Sequence, residues 1–351
     1  MKTQTKIFIT LLLIFLGGLS LVQSQDIHFS QFTMTPLLVN PAQTGSQNDL
    51  RAVMNYKNQW SSVSQPYNTY NFSFDVSLKK KKNISGFSAM GLNIFNDKAG
   101  NSKMGTLFGN LTYAYHVFLS DRSTLGGGIY AAIGQRSTNT NNLQWGNQYD
   151  GMAYNSNLPT GEPVSNNLTF FDIGGGVHWK YNKNEKYMTG NDQRYYNAGI
   201  AVFHVNQPKY SFYDTGEKLY MKEVAYANAL IGISSTKFSI VPGIIYSMQG
   251  KANELLLGSL IRYQLKESSK FTSFVKGASI SPGLYYRNRD AAIVCILFEF
   301  SQYSLGISYD VNLSKLKTAS KGKGGIEISL SFVSPNPFTG RSTTKSPRFF
   351  N

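Results

Sequence analysis

Apolar and polar side chains alternate along this chain, over stretches too long for an ordinary soluble strand. In 70–78, Tyr70, Phe72, Phe74, Val76 and Leu78 share one face, and Asn71, Ser73, Asp75 and Ser77 share the other. In 107–119, Leu107, Leu111, Tyr113, Tyr115, Val117 and Leu119 oppose Asn110, Thr112, Ala114 and His116. Residues 171–181, 303–311 and 326–332 repeat the pattern: Ile307, for example, stands opposite Ser308, and Ile328 opposite Glu327 and Ser329. A period of two marks a strand with one face buried. A run of nine or more matches a tilted strand crossing a bilayer in about 9–11 residues. Gly, Ser, Asn and scattered charges would make a poor protein core, but they suit a wet or plugged lumen. A soluble β-sandwich gives the same alternation with shorter strands and more highly charged outer faces.

Composition agrees with the membrane reading. Charged residues are 15% of the chain, against about 25% in a typical soluble domain, while Tyr (22) and Phe (23) are abundant. Residues 1–24 read as a secretory signal peptide: Lys2 and Lys6 start it, Ile7 to Val22 form an apolar run, and Val22 and Ser24 suit cleavage before Gln25. The run is short for a spanning helix, which needs about 20 apolar residues. The only cysteine, Cys295, permits no internal disulfide. The formal charge of +15 points to contact with anionic lipid head groups or to attraction of an acidic secreted partner or anionic solute. Nucleic acid does not fit an exported barrel.

About fourteen segments alternate, near 50–58, 68–78, 84–95, 105–118, 123–136, 168–181, 194–206, 223–234, 237–248, 253–265, 278–287, 291–300, 303–311 and 325–333. The expected fold is an all-β transmembrane antiparallel barrel spanning 50–333, preceded by an N-terminal arm (25–49) and followed by a periplasmic tail (334–351). If the first strand runs outward, the longer links 137–167, 207–222 and 312–324 face outside. The tight links 79–83, 119–122 and 235–236 then face the periplasm, where 182–193 and 266–277 are longer than the rule wants.

Catalytic patterns are sparse. His28, His116, His178 and His204 show no metal-ligand spacing. The GGG runs at 126–128 and 174–176 lead into no helix, so they read as points where a barrel curves or another backbone approaches closely. His116, Asp172, His178 and Ser308 share the polar side, as side chains do by chance in any polar lumen. The chain is expected not to be an enzyme and to need no cofactor or metal.

Several ordered motifs carry a resemblance. QDIHFSQFTMTPLLVNPAQTG (25–45), NYKNQW (55–60), PYNTYNFSFD (66–75), FFDIGGGVHW (170–179), FHVNQPKYSF (203–212), YYRNRDA (285–291), SYDVNLSKL (308–316) and GGIEISLSF (324–332) resemble the PorP/SprF-type outer-membrane proteins of the Bacteroidetes type IX secretion system. Ile326 stands where the family carries a His before the Glu. The resemblance implies export and cell-surface display of secreted proteins, including gliding adhesins. Its partners would be a secreted substrate or that substrate's C-terminal domain, other machinery proteins and outer-membrane lipid. The Asn-Pro-Ala at 40–42 also resembles the hatch of long-chain fatty-acid transporter barrels, which keeps open a channel for a small hydrophobic or anionic solute.

The arm is expected to enter the lumen from the periplasmic side and to plug it. Phe29 and Phe32 supply apolar bulk, Pro36 and Pro41 fix bends, and Asn40 offers hydrogen bonds to the wall. Trp60, Trp145 and Tyr149, on outer links, are the expected aromatic anchors for a partner.

Overall fold

A computed structural model of the chain describes residues 26–62, 65–78, 85–100, 104–139, 143–161, 167–183, 191–212, 217–266, 277–315 and 317–334. Fourteen strands follow in order: β1 (Leu50–Gln59), β2 (Tyr67–Leu78), β3 (Gly86–Ala99), β4 (Met104–Ser120), β5 (Ser123–Ser137), β6 (Asn167–Lys183), β7 (Arg194–Phe203), β8 (Lys222–Gly232), β9 (Phe238–Gln249), β10 (Ala252–Lys266), β11 (Ala278–Arg287), β12 (Ala291–Phe300), β13 (Tyr303–Asn312) and β14 (Lys323–Ser334). Each pairs antiparallel with its neighbours in sequence. The first and last pair too, from Leu50↔Ser334 to Gln59↔Gly325, so the sheet closes on itself. Closure leaves no strand edge, which hydrocarbon would penalise by several kcal/mol per unpaired backbone group.

Every segment read as a strand is one. The segment expected at 194–206 stops at Phe203, because His204 turns into the left-handed region (φ 56°). The leader 1–24, the link 79–83 and the tail beyond Ser334 lie outside the described residues. At the end of the barrel where β1 begins, links 121–122, 233–237 and 301–302 are short, while 184–193 and 267–277 are longer. At the opposite end, links 60–66, 100–103, 250–251 and 288–290 are short and 313–322 is no longer than 184–193, but 138–166 and 204–221 are the longest of all; barrels keep their longest loops outside, so this end is taken as the outer one.

Outward side chains form the greasy belt. Leu111, Ile129 and Leu284 are 67%, 65% and 65% exposed, which lipid tolerates and water does not. Around the inner end, aromatic rings pair across neighbouring strands: Tyr181 with Tyr196 (5.8 Å), Phe238 with Tyr263 (4.9 Å) and Tyr303 with Phe332 (5.2 Å). Such a girdle sits at the lipid head groups.

The inward face corrects the expectation of a uniformly polar lumen. On β13, β14 and β1 to β4 it is polar, with Ser308, Glu327, Asn55, Ser73, Asn93 and Asn110 all buried. On β8 to β12 it holds an apolar cluster, in which Leu230, Val241, Leu256, Leu260, Ile293 and Leu297 are buried with Tyr285 and Cys295, beside a buried Arg262–Glu299 pair at 2.7 Å. Alternation reports two faces only where they differ, and in AAIVCILFEF (291–300) both are apolar.

Leu111→Arg places a cation on the lipid face at mid-strand. It should lower folding stability in lipid bilayers by about 2–4 kcal/mol, measured by urea titration. A loss under 1 kcal/mol would contradict a lipid-facing Leu111.

Candidate functional site: the inner face and the N-terminal arm

Residues 26–49 carry short helical pieces and no strand. Phe32–Met34 is a 3₁₀ turn, α1 is Pro36–Val39, and a second 3₁₀ turn covers Pro41–Gln43. Pro36 and Pro41 each begin a helical piece, where the missing N–H costs nothing. Asn40 caps the second turn, its Oδ1 accepting from the Ala42 N–H at 2.8 Å. Nearly all of 29–48 is buried, and the arm bonds to inward groups of the wall at three levels.

The first level is near the outer end. The Ser30 and Gln31 N–H groups donate to the two oxygens of Glu327 at 2.8 and 3.1 Å. Lys57 lies 3.0 Å from the same carboxylate and donates to the His28 carbonyl at 2.8 Å. Arg287 pairs with Asp310 at 3.1 Å, and the Ser30 hydroxyl sits between them, accepting from Arg287 at 2.6 Å and donating to Asp310 at 2.9 Å. Lys57, Glu327, Arg287 and Asp310 are all buried. Buried pairs of this kind are costly to break, about 3–5 kcal/mol when one partner is removed.

At the second level Asn40 Nδ2 donates to the carbonyls of Val177 (2.9 Å) and Ile200 (3.1 Å). The wall is cut back to admit it. A Cβ on Gly128 would meet the Pro41–Ala42 backbone at 2.6–2.7 Å, and one on Gly176 would meet Asn40 Oδ1 at 2.3 Å. Gly128 and Gly176 are register partners on β5 and β6, so the third glycine of each GGG run borders the Asn-Pro-Ala turn.

The third level is near the inner end. The Gly45 N–H donates to Asp75 at 2.8 Å, and Arg51 grips the same carboxylate at 2.8 Å. His116 Nε2 donates to the Thr44 carbonyl at 2.8 Å, and Lys180 donates to the Ser46 carbonyl. Gly45 has φ 61° and would strike Ala89 with a side chain.

The start of the arm ends in a charged clasp. Asp26 Oδ2 lies 2.6 Å from His204 Nε2, and His204 Nδ1 lies 2.9 Å from Asp172 Oδ2, which also accepts from the Tyr130 hydroxyl at 2.6 Å. Gln249 bonds both the Asp26 N–H and its carboxylate, and Lys222 stands 3.6 Å away. Burial opposes a charged His204, but the Asp26 and Asp172 carboxylates outweigh it and raise His204 to about 9. Burial likewise opposes a charged Asp26, and His204, Lys222 and Gln249 hold its carboxyl below the usual range. His28 is the opposite case: burial, with Lys57, Arg287 and Lys222 nearby, keeps it neutral, so its 3.4 Å approach to Glu254 is no ion pair. His204 and Lys222 flank the outer link 204–221. That link folds back over the barrel mouth, with Tyr210 edge-on to Phe170 at 5.5 Å and Arg136 over the Tyr210 ring at 3.9 Å.

The remaining candidates are scattered. Phe29 is buried, and Phe32 meets Tyr285 edge-on at 6.1 Å inside the apolar cluster. Trp60 packs against Tyr67 at the end of β1, on a different link from Trp145 and Tyr149. Tyr149 is 59% exposed, bridges to Tyr154, and brackets a turn held by Asp150 Oδ1 with Met152 at its tip. His178 bonds the Tyr226 hydroxyl, and Ser308 bonds Gln31. His116 bonds the Thr44 carbonyl and Asp172 bonds His204 and Tyr130, so each of the four sequence candidates has a bonding partner outside that set. Sequence reasoning missed the clasp and the Glu327 and Asp310 clamps. The signal present was a set of charges on faces that alternation had already turned inward.

The type IX secretion system membrane protein PorP/SprF family model matches residues 21–332. The chain belongs to this family. It is an outer-membrane β-barrel of type IX secretion. No curated protein matches the sequence. Among solved structures, the translocator domain of the autotransporter NalP from Neisseria meningitidis is similar at 10% identity (TM-score 0.40), covering 87% of this chain and 96% of that one. A FadL homologue from Pseudomonas aeruginosa is similar at 11% (0.44), covering 85% and 93%. A deletion mutant of the TodX monoaromatic hydrocarbon channel is similar at 10% (0.45), covering 84% and 93%.

Two predictions follow from this geometry. Gly128→Val drives a side chain into the Pro41–Ala42 backbone, an overpacking that costs about 1–3 kcal/mol. Maleimide labelling of Cys295, buried in the Phe32 cluster, should then rise about tenfold, because 1.4 kcal/mol is a factor of ten. Unchanged labelling would show that the arm does not rest on Gly128. The clasp also sets a pH window. His204 is raised when docked, so its contribution is complete below pH 6.5 and is lost as pH climbs through about 9. Asp26 is lowered, so its contribution fails only in strong acid. Proteolytic trimming of the arm should accelerate between pH 7 and 9.5, with His204→Gln removing that dependence. A flat wild-type profile would contradict the clasp.

Proposed function

We propose that this barrel is a plugged, non-enzymatic component of type IX secretion that binds a secreted protein, such as a gliding adhesin, or that protein's anchoring domain, and helps export it or hold it at the cell surface. The arm is the plug. The observation that carries the reading is its grip on the inner face at three levels, which engages inward polar groups such as Glu327, Asp75 and His116 with the arm and leaves the outer links for a partner. Phe29, Phe32, Pro36, Asn40 and Pro41 are the plugging residues. Of the aromatic anchors, Tyr149 with Met152 and Tyr154 on link 138–166 offers the most exposed apolar tip; Trp60 and Trp145 are half-buried. The partners are the secreted substrate, other type IX machinery proteins and outer-membrane lipid.

A second reading is favoured by one observation. The apolar inward face of β8 to β12, under Phe32, would suit a small hydrophobic solute if the arm moved aside, as in a fatty-acid-transporter-like channel.

Affinity purification of the tagged barrel from native outer membrane separates the two. Co-isolation of a large exported protein, lost when 146–155 is replaced by a Gly/Ser linker, supports the secretion role. A barrel that comes out alone, with exported proteins still displayed in a deletion strain, contradicts it. Solute uptake abolished by deleting 26–45 would favour the channel.

A further inference from the structure

One sector of the outer rim gathers five exposed cations on two adjoining links. Arg289, on link 288–290, and Lys315, Lys317, Lys321 and Lys323, on and beside link 313–322, are all exposed. Link 138–166 has no Lys or Arg. The nearby acids do not serve these cations: Asp290 and Glu254 turn to Arg287, at 3.1 and 3.7 Å. None of the five has a carboxylate within 4.0 Å among the described residues. Like charges gathered on adjoining links repel, and loops free to move would spread them.

The loops are not free to move. The Leu313 and Ser314 N–H groups both donate to the Asp290 carbonyl, at 2.7 and 3.0 Å, joining the two links. Asn312 Nδ2 donates to the Ser320 hydroxyl and the Lys323 carbonyl, spanning the turn that holds α2 (Lys317–Ser320). The Ser62 hydroxyl donates to the Ser320 carbonyl, and the Trp60 N–H to the Gly324 carbonyl, bracing the same turn from link 60–66. The protein thus spends hydrogen bonds to keep unpaired cations together.

The lipid belt lies directly beneath. Tyr286, Tyr309, Leu313 and Ile326, at the outer ends of β11, β13 and β14, are 42%, 42%, 51% and 39% exposed. Cations bordering hydrocarbon on the outer side stand at the depth where the outer leaflet presents the phosphates of its glycolipid. We infer that this sector is a binding site for the phosphate groups of outer-leaflet phosphorylated glycolipid, with Lys315, Lys317, Lys321, Lys323 and Arg289 taking the phosphates and the apolar edge taking the acyl chains. The site rests on the assignment of the outer end but not on which protein the barrel exports.

The test uses the full mature protein in detergent micelles and native mass spectrometry. The probes are bisphosphorylated lipid A, the same lipid stripped of phosphate, inorganic phosphate and poly-glutamate. Phosphorylated lipid A should bind in a salt-dependent way and the stripped lipid should not, with neither inorganic phosphate nor poly-glutamate displacing it at millimolar concentration. Each surface lysine contributes roughly fivefold to attraction toward an anionic lipid surface. The variant K315Q/K317Q/K321Q/K323Q should therefore lose nearly three orders of magnitude, about 600-fold, while K209Q/K218Q on link 204–221 stays unchanged. Retained heat-modifiable mobility on unboiled gels shows that the variants are folded. Equal binding of stripped lipid, displacement by poly-glutamate, or a quadruple variant that binds like wild type would each overturn the inference. Purified protein and lipid suffice, so a failed search for the exported partner leaves this result untouched.

Discussion

A polypeptide inside a bilayer must pair every backbone N–H and C=O within itself, and the rest of this structure follows from that demand. Fourteen strands meet it only by closing, and closing them encloses a space that fourteen rows of side chains must share with something else. Residues 26–48, on the N-terminal side of β1, make their contacts there. The arm has no regular partner strand, so its backbone and side-chain polar groups are met one by one by inward groups of the wall: Glu327 for Ser30 and Gln31, Asp75 for Gly45, His116 for Thr44.

The wall is specialised to different degrees around its circumference. Opposite the Asn-Pro-Ala turn it offers glycine, because a backbone approaching within van der Waals contact leaves no room for Cβ. On the β13–β14–β1 side it offers buried ions, which are directional and costly to mismatch and so fix the arm's register. At mid-height on β8 to β12 it offers an apolar cluster, with Phe32 as the arm's contribution. Asp26 lies among the outer ends of β7, β8 and β9, while Asn48 leads into β1 at the inner end, so the arm runs the length of the barrel. The outer link 204–221 has both of its ends, His204 and Lys222, against Asp26. That places the arm's start and the covering link on one set of charges.

The strands were legible in the sequence because lipid imposes a strict outward period, and the period survives wherever the inner face is polar. It failed to reveal the apolar inner wall for the same reason: Ile293, Cys295 and Leu297 look no different from the outward Val294, Ile296 and Phe298. The GGG runs were legible as places of close approach, but not the identity of the approaching backbone. Asn40 could be recognised as a donor, but its acceptors, the carbonyls of Val177 and Ile200, are far away in sequence. His204 was visible as one of four histidines. Its meaning depends on Asp26 and Asp172, brought together only by closure. Trp60 packs on Tyr67, a contact that their spacing along the chain suggests, whereas a role for Trp60 or Trp145 in holding a partner has no signature in one sequence.

Family membership places the barrel in type IX secretion, and the proposed role of the arm as a plug rests on its contacts with the wall. The central claim is that the arm is held against the wall by buried polar contacts in the membrane-embedded protein. Hydrogen–deuterium exchange of the mature protein in lipid nanodiscs tests it most directly, read at the amides of Ser30, Gln31, Ala42 and Gly45. The account predicts protection at these positions comparable to the amides of β5 and β6. Exchange at the rate of an unstructured peptide would contradict it.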